Sequence, residues 1–178
     1  MEVLALQFKD WDLQVSPQYG ACILSCSYRG FDILRKAEAN WKYTHDPMLS
    51  SYFPLVPYSN RIANGQFKWE NKSFNLNPNH SDQKFPLHGI GWLSEWAVKD
   101  IKENSCSLEY KHIEGDWPWP FLVRQKIVLE DSSIKISLTL KNMGKKIKPT
   151  TLSLSGTQTL TLKQADGYEL KSLVSAGA

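Results

Sequence analysis

The chain has 178 residues, 42% of them hydrophobic, and a formal net charge of +3. That length suits one domain, read as residues 1–178, able to bury roughly 70% of the surface of its unfolded form. Lys and Arg are scattered without the broad basic footprint of nucleic-acid binding, and the densest run, Lys145-Lys146-Ile147-Lys148, reads as a solvated turn.

Met1-Glu2-Val3-Leu4 opens the chain with no basic region ahead of a long apolar run, so it is not read as a secretory signal. No later stretch approaches the roughly 18–20 apolar residues of a membrane span, and the expectation is a soluble, cytoplasmic protein without a membrane partner. The first strands are expected at Val3 to Phe8, Leu13 to Val15, Ala21 to Tyr28 and Phe31 to Leu34. Cys22, Cys26 and Cys106 form an odd set without regular spacing, which argues against a disulfide framework and for small buried residues in a reducing compartment.

Phe67 and Trp69 alternate with polar residues, Glu70-Asn71-Lys72 turns the chain, and Phe74 and Leu76 resume the pattern. A second pair is expected at Trp96 to Ile101 and Cys106 to Tyr110. Phe121 to Leu129 places Phe121, Val123, Ile127 and Leu129 on one side, and Ile134 to Leu140 alternates without a break. Asp131-Ser132-Ser133 reads as the turn between them, and Asn142-Met143-Gly144 as the end of the second strand. Thr159 to Lys163 and Tyr168 to Lys171 complete the series. No helical period extends beyond two turns, and many short strands between turn signals specify an all-β sandwich or barrel.

Three long irregular stretches interrupt the strands: Ala39 to Arg61, Asn77 to Ser94 and His112 to Pro120. Long loops in a small domain are usually functional, and these hold all four histidines, His45, His80, His88 and His112. Of the seven tryptophans, some belong to the core, and those in loops are read as flat platforms for a ligand with apolar faces and polar edges, such as a sugar.

Two loop segments carry chemistry. In Pro57-Tyr58-Ser59-Asn60-Arg61-Ile62 the arginine offers five donors in a rigid fork, suited either to vicinal hydroxyls or to a neighbouring surface acid. In Pro86-Leu87-His88-Gly89-Ile90-Gly91-Trp92 glycines allow tight bends beside a histidine, which is either a structural hydrogen-bonding group or a proton-transfer group that titrates near neutrality.

Taken together, Pro57 to Ile62, Gly65-Gln66-Phe67, Pro86-Leu87-His88-Gly89 with Trp92, and Gly115-Asp116-Trp117-Pro118-Trp119-Pro120-Phe121 resemble the aldose 1-epimerase family, closest to its bacterial mutarotase-like branch. The resemblance runs over about residues 20–150. It implies an antiparallel β-sandwich of the galactose mutarotase-like supersandwich type and an open cleft for an aldohexose. It implies that His88 is the general acid at the sugar ring oxygen, that Arg61 hydrogen-bonds sugar hydroxyls, and that Asn60 supports the same wall of the substrate site. Trp92 and Trp117 are implied as walls of the cleft. The implied reaction removes the anomeric proton, protonates the ring oxygen, rotates the C1–C2 bond and closes the other anomer, with no metal or organic cofactor.

The sequence departs from the family in two places. The stretch Pro149 to Thr157 lacks the family's second histidine, and the chain ends at Ala178 before the position of the family's glutamate base. Glu95, Glu114 and Asp116 stand as alternative bases or as solvated loop charges. The chain therefore reads as shortened at its C-terminus, with a sugar-binding sandwich of weak activity as the alternative to an isomerase, and with a sandwich used only for protein interaction as a third reading. Unpaired edges in a shortened sandwich imply association, most simply as a homodimer.

Overall fold

A computed structural model of the protein describes residues 2–144 and 153–154. The strands expected at Thr159 to Lys163 and Tyr168 to Lys171, and the turn at Lys145 to Lys148, lie outside the described residues.

Two four-stranded antiparallel sheets face one another. The first, in the order β1-β2-β3-β4, comprises β1 (Leu4–Phe8), β2 (Trp11–Ser16), β3 (Cys22–Tyr28) and β4 (Phe31–Leu34). After β5 (Pro54–Leu55) and the hairpin of β6 (Gln66–Trp69) and β7 (Lys72–Asn75) comes the second sheet. It comprises β8 (Ala97–Lys102), β9 (Ser105–His112), β10 (Phe121–Leu129) and β11 (Ile134–Asn142), in the spatial order β11-β10-β9-β8. β12 (Ser153–Leu154) pairs antiparallel with β5.

Side-chain alternation explains the layers. In β2, Trp11, Leu13 and Val15 are buried while Asp12 and Gln14 face out. In β10 the inward residues are Phe121, Val123, Gln125, Ile127 and Leu129. These residues join Leu4, Leu6, Leu108, Ile136, Leu138 and Leu140 in one core between the sheets. Each large apolar side chain so buried contributes about 1.5–3 kcal/mol. Gln125 is the polar member, and its position is satisfied: its Nε2 donates to the Ala21 carbonyl at 3.0 Å, and its Oε1 accepts from Tyr52 at 3.3 Å. Trp11 Nε1 donates to the Glu130 carbonyl at 2.8 Å and ties the first sheet to the β10–β11 turn.

β3 is covered twice. Ile23 and Cys26 belong to the main core, whereas Cys22 and Leu24 join a second apolar cluster with Trp41, Phe53, Leu55 and Trp92. That second cluster lies beneath the long connections. Burial keeps all three thiols protonated, pushing Cys22 up to about 12 and Cys26 and Cys106 up to about 11.

The connections hold more structure than their sequence indicates. Trp41–Thr44 makes one turn of α-helix, α1, and Pro47–Leu49, Ala63–Gly65 and Gly91–Leu93 make 3₁₀ turns. β5 is a further element absent from the sequence reading. His112 is the last residue of β9 and is buried, so it is a strand residue and not a loop one. The expectation of tryptophan platforms is also overturned: Trp11, Trp41, Trp92, Trp96, Trp117 and Trp119 are all buried. No helix of the described residues is long and apolar enough to cross a membrane.

Candidate functional site

Residues 53–62 and 85–92 run side by side. Val56 bridges Gly89 in the parallel sense and Arg61 bridges Leu87 in the antiparallel sense. Ile90 and Gly91 both donate their amides to the Val56 carbonyl, at 2.9 and 3.0 Å, and Ile62 donates to the Pro86 carbonyl at 3.2 Å. The two sequence segments that carry the candidate site residues are therefore one structural unit.

The approach at Gly89 is so close that a Cβ there would stand 2.0 Å from the Val56 carbonyl oxygen, with φ at +71°. Only glycine fits that position. On either side of this contact two non-glycine residues take left-handed backbone: Asn60 at φ 64° and His88 at φ 59°. Such conformations are held only where the surroundings over-determine them.

The surroundings here are hydrogen bonds. The His88 amide donates to the Asn60 carbonyl at 3.0 Å, and the Asn60 amide donates to His88 Nδ1 at 2.9 Å. A ring nitrogen that accepts from a backbone amide carries no proton, so the neutral imidazole is protonated at Nε2. His88 is half-buried. Burial, with a smaller contribution from the Arg61 guanidinium, pulls its pKa down to about 4. The expectation of a histidine poised near neutrality is thereby overturned: at pH 7 His88 is a neutral Nε2–H donor.

Arg61 is exposed, and its Nε and Nη2 both donate to Gln83 Oε1, at 3.0 and 2.6 Å. Among the described residues no carboxylate makes an ion pair with it. The surface-acid alternative for Arg61 is therefore not the arrangement observed. Asn60 is exposed as well, and its Oδ1 accepts from the Arg61 amide at 2.8 Å.

Trp92 is fully buried and has no face to offer a sugar. Its indole instead supports the loop from below. Nε1 donates to the carbonyls of Leu87 and Gly89 at 3.0 and 3.1 Å, and the ring stacks on Phe53 at 5.5 Å and meets the His88 ring edge-on at 6.2 Å. This corrects the reading of Trp92 as a cleft wall, because within the Gly91–Leu93 3₁₀ turn the ring is buried in the apolar cluster with Phe53 and Leu55.

Trp117 is also nearly covered, stacked on Phe67 at 5.8 Å and tilted against Tyr58 at 5.4 Å. One edge of it borders a recess of about 10 Å³ shared with Tyr58, Asn77, Asn79, Ile90 and Asp116, room for a single water. Burial pushes the Tyr58 phenol up to about 12, and it bonds the Gly89 backbone from the far side of the loop. Asp116 accepts from Asn77 Nδ2 at 3.4 Å at the rim, while Glu95 and Glu114 are exposed.

His80 and His88 share the Trp92 ring, while His45 and His112 make other contacts. His45 lies flat on Tyr19 at 4.0 Å with Nε2 3.1 Å from Glu2, and His112 donates from Nε2 to the Trp117 carbonyl at 2.7 Å. His80 stacks on Trp92 at 5.5 Å with Nε2 3.3 Å from Asp46 Oδ2. Among the described residues no group of three or more His, Cys, Asp or Glu side chains is gathered to hold a metal ion. The sequence reading singled out neither Asn79 nor Gln83, whose polar side chains bind the His88 loop and Arg61; their place in the long Asn77 to Ser94 stretch was the signal that pointed to them.

The sequence model of the aldose 1-epimerase family matches residues 12–172. An aldose 1-epimerase of Haemophilus influenzae is 28% identical over 170 residues, covering 92% of this chain and 46% of the relative. The uncharacterized protein YphB of Escherichia coli K12 is 33% identical over 100 residues, covering 56% of this chain and 34% of the relative. A crystal structure of an Escherichia coli K12 protein named as a candidate aldose 1-epimerase superposes with a TM-score of 0.77 at 28% identity, over 85% of this chain and 50% of that one. A galactose mutarotase-like protein from Lactobacillus casei superposes at 0.70 with 13% identity, over 85% of this chain and 48% of that one, a likeness of fold. The chain thus spans half or less of the length of these relatives.

Proposed function

Because the chain belongs to the aldose 1-epimerase family, we propose that its His88 loop binds a monosaccharide and that the protein is an isomerase interconverting the α and β anomers of a hexose. The observation that carries this reading is the pairing of a neutral, half-buried imidazole with a guanidinium that meets no carboxylate among the described residues, on adjoining loops.

The chemistry follows from those two groups. Ring opening breaks the C1–O5 bond after the anomeric hydroxyl loses its proton, and negative charge collects on the ring oxygen. His88 Nε2–H donates to that oxygen. It works as a neutral hydrogen-bond donor that strengthens as charge develops, an effect of about 10²–10³ in rate for a well-placed donor. Arg61 and the Asn60 carboxamide hold neighbouring hydroxyls, since a planar fork meets two oxygens at once. The group that removes the anomeric proton stands outside this set; the ring oxygen takes a proton along the His88 Nε2–H hydrogen bond as C1–O5 breaks, and the proton removed from the anomeric hydroxyl returns through solvent to His88, so that the open chain is a neutral hydroxy-aldehyde. No metal or organic cofactor enters the scheme.

Polarimetry of α-glucose and α-galactose tests the proposal, with tryptophan fluorescence reporting sugar binding. Mutarotation should run faster than in buffer, and His88→Gln should remove about 99% of the acceleration while sugar still binds. Binding without acceleration would reduce the protein to a sugar-binding sandwich. Absence of both would overturn the reading.

A further inference from the structure

We propose that Asn79 is a positioning residue for His88: its carboxamide closes on the main chain at both sides of the histidine and sets the imidazole with Nε2–H outward. Asn79 sits eight residues before Leu87, in the turn that follows β7, and is half-buried. Its Nδ2 donates to the Leu87 carbonyl at 2.8 Å and to the Gly89 carbonyl at 2.6 Å. Its Oδ1 accepts from the Leu87 amide at 2.8 Å. One side chain thus satisfies three backbone groups that straddle residue 88.

Asparagine suits this task because its amide presents a donor and an acceptor side by side, as a peptide does. The left-handed turn at His88 brings the carbonyls of Leu87 and Gly89 to the same side, where each also accepts from Trp92 Nε1. Two carbonyls drawn together repel unless donors lie between them. Asn79 and Trp92 are those donors, but only Asn79 also holds the Leu87 amide. It therefore holds both peptides of Leu87, the Pro86–Leu87 unit through its N–H and the Leu87–His88 unit through its carbonyl, and so fixes the direction in which the chain enters His88. The ring orientation follows, since His88 Nδ1 can meet the Asn60 amide only while the His88 amide stays on the Asn60 carbonyl.

This inference deepens the function proposed above, and its kinetic arm rests on that reading, whereas its spectroscopic arm needs no sugar. The experiment compares wild type, Asn79→Ala and Trp92→Phe by nitrogen-15 NMR of the His88 ring at pH 7, with thermal unfolding in parallel. Wild type should show a single neutral tautomer, with a bare Nδ1 and a protonated Nε2. Asn79→Ala should give a mixture of the two tautomers. Trp92→Phe, which removes the other donor to the same carbonyls, should unfold at a lower temperature yet keep the single tautomer. Where mutarotation is measurable, Asn79→Ala should lower kcat about tenfold with KM within about twofold. A single tautomer in Asn79→Ala, or the same mixture in both variants, would leave Asn79 as a general structural tie and overturn the assignment. A tautomer mixture in Asn79→Ala alone, in a protein that turns over no sugar, would uphold this inference while sinking the proposed activity.

Discussion

Asn60 and His88 grip each other twice, amide to carbonyl at 3.0 Å and amide to Nδ1 at 2.9 Å, and both do so from left-handed backbone. The second bond is the consequential one. To become an imidazolium, His88 would have to take a proton at Nδ1, which already faces an N–H. Protonation therefore requires the grip to open.

The pH behaviour follows. The free histidine titrates near 6.5, and in the folded chain His88 titrates near 4. As pH falls through that window the unfolded chain binds the proton first, so stability is fully present above about 6.5 and declines towards about 4. Solvent screening of a half-buried ring brings the decline to roughly 1–2 kcal/mol. His88→Gln should flatten this part of the stability curve, measured by urea unfolding at pH 7.0 and about pH 4.5. Any sugar-dependent rate should show no inflection near pH 6.5. A wild-type rate that falls away between about pH 7 and 6 would disprove the neutral-donor assignment.

The strands that build the scaffold were legible because alternation is local. Phe121–Leu129 appears with the same bounds in sequence and structure, and Ile134–Leu140 only lengthens to Asn142. β5 was not legible, since two residues, Pro54 and Leu55, carry no period and pair with a segment almost a hundred positions away. The tryptophans misled for a related reason. Trp41 and Trp92 lie in loop sequence, but those loops cover an apolar cluster on β3, so their rings point in. At the site, the residue types of Asn60, Arg61 and His88 could be read directly. Their geometry could not, because the tautomer of His88 depends on a backbone amide 28 positions earlier.

Arg61 holds Gln83 through two nitrogens of its fork, at the surface. Arg61→Lys keeps the charge but loses the planar geometry. Folding stability should change by no more than about 0.5 kcal/mol, as for most exposed substitutions. Sugar affinity should fall about tenfold, because an ammonium cannot reach two hydroxyls from one plane. Arg61→Gln should further raise the His88 pKa, since the guanidinium is one cause of its depression. Fluorescence titration and the NMR pH series separate the two effects. Equal sugar affinity in wild type and both variants would remove Arg61 from the site.

His112 supports the Trp117 segment, donating to the Trp117 carbonyl at 2.7 Å from a position only 4% exposed. His112→Phe fills the space but leaves that carbonyl without its donor. The expected loss is about 1–3 kcal/mol, seen in urea unfolding. Trp117 emission should shift as its backbone loosens. Unchanged stability would mean that water or another donor takes over the carbonyl, and that His112 is not the support.

Gly89 and Gly30 separate two reasons for needing glycine. Both have positive φ, +71° and +78°. A Cβ at Gly30 meets nothing within 4 Å, whereas one at Gly89 would lie 2.0 Å from the Val56 carbonyl oxygen. Gly30→Ala should therefore lose only the conformational preference, about 1 kcal/mol. Gly89→Ala must push the His88 loop off Val56, weakening the bonds from Ile90 and Gly91 to that carbonyl. A loss of about 2–4 kcal/mol is expected. The same displacement carries His88 away from Asn60, so the NMR signature of the bare Nδ1 should be lost in Gly89→Ala and kept in Gly30→Ala. Matching unfolding curves for the two variants would show that the contact with Val56 does not hold the loop, and with it would go the account of how His88 is aimed.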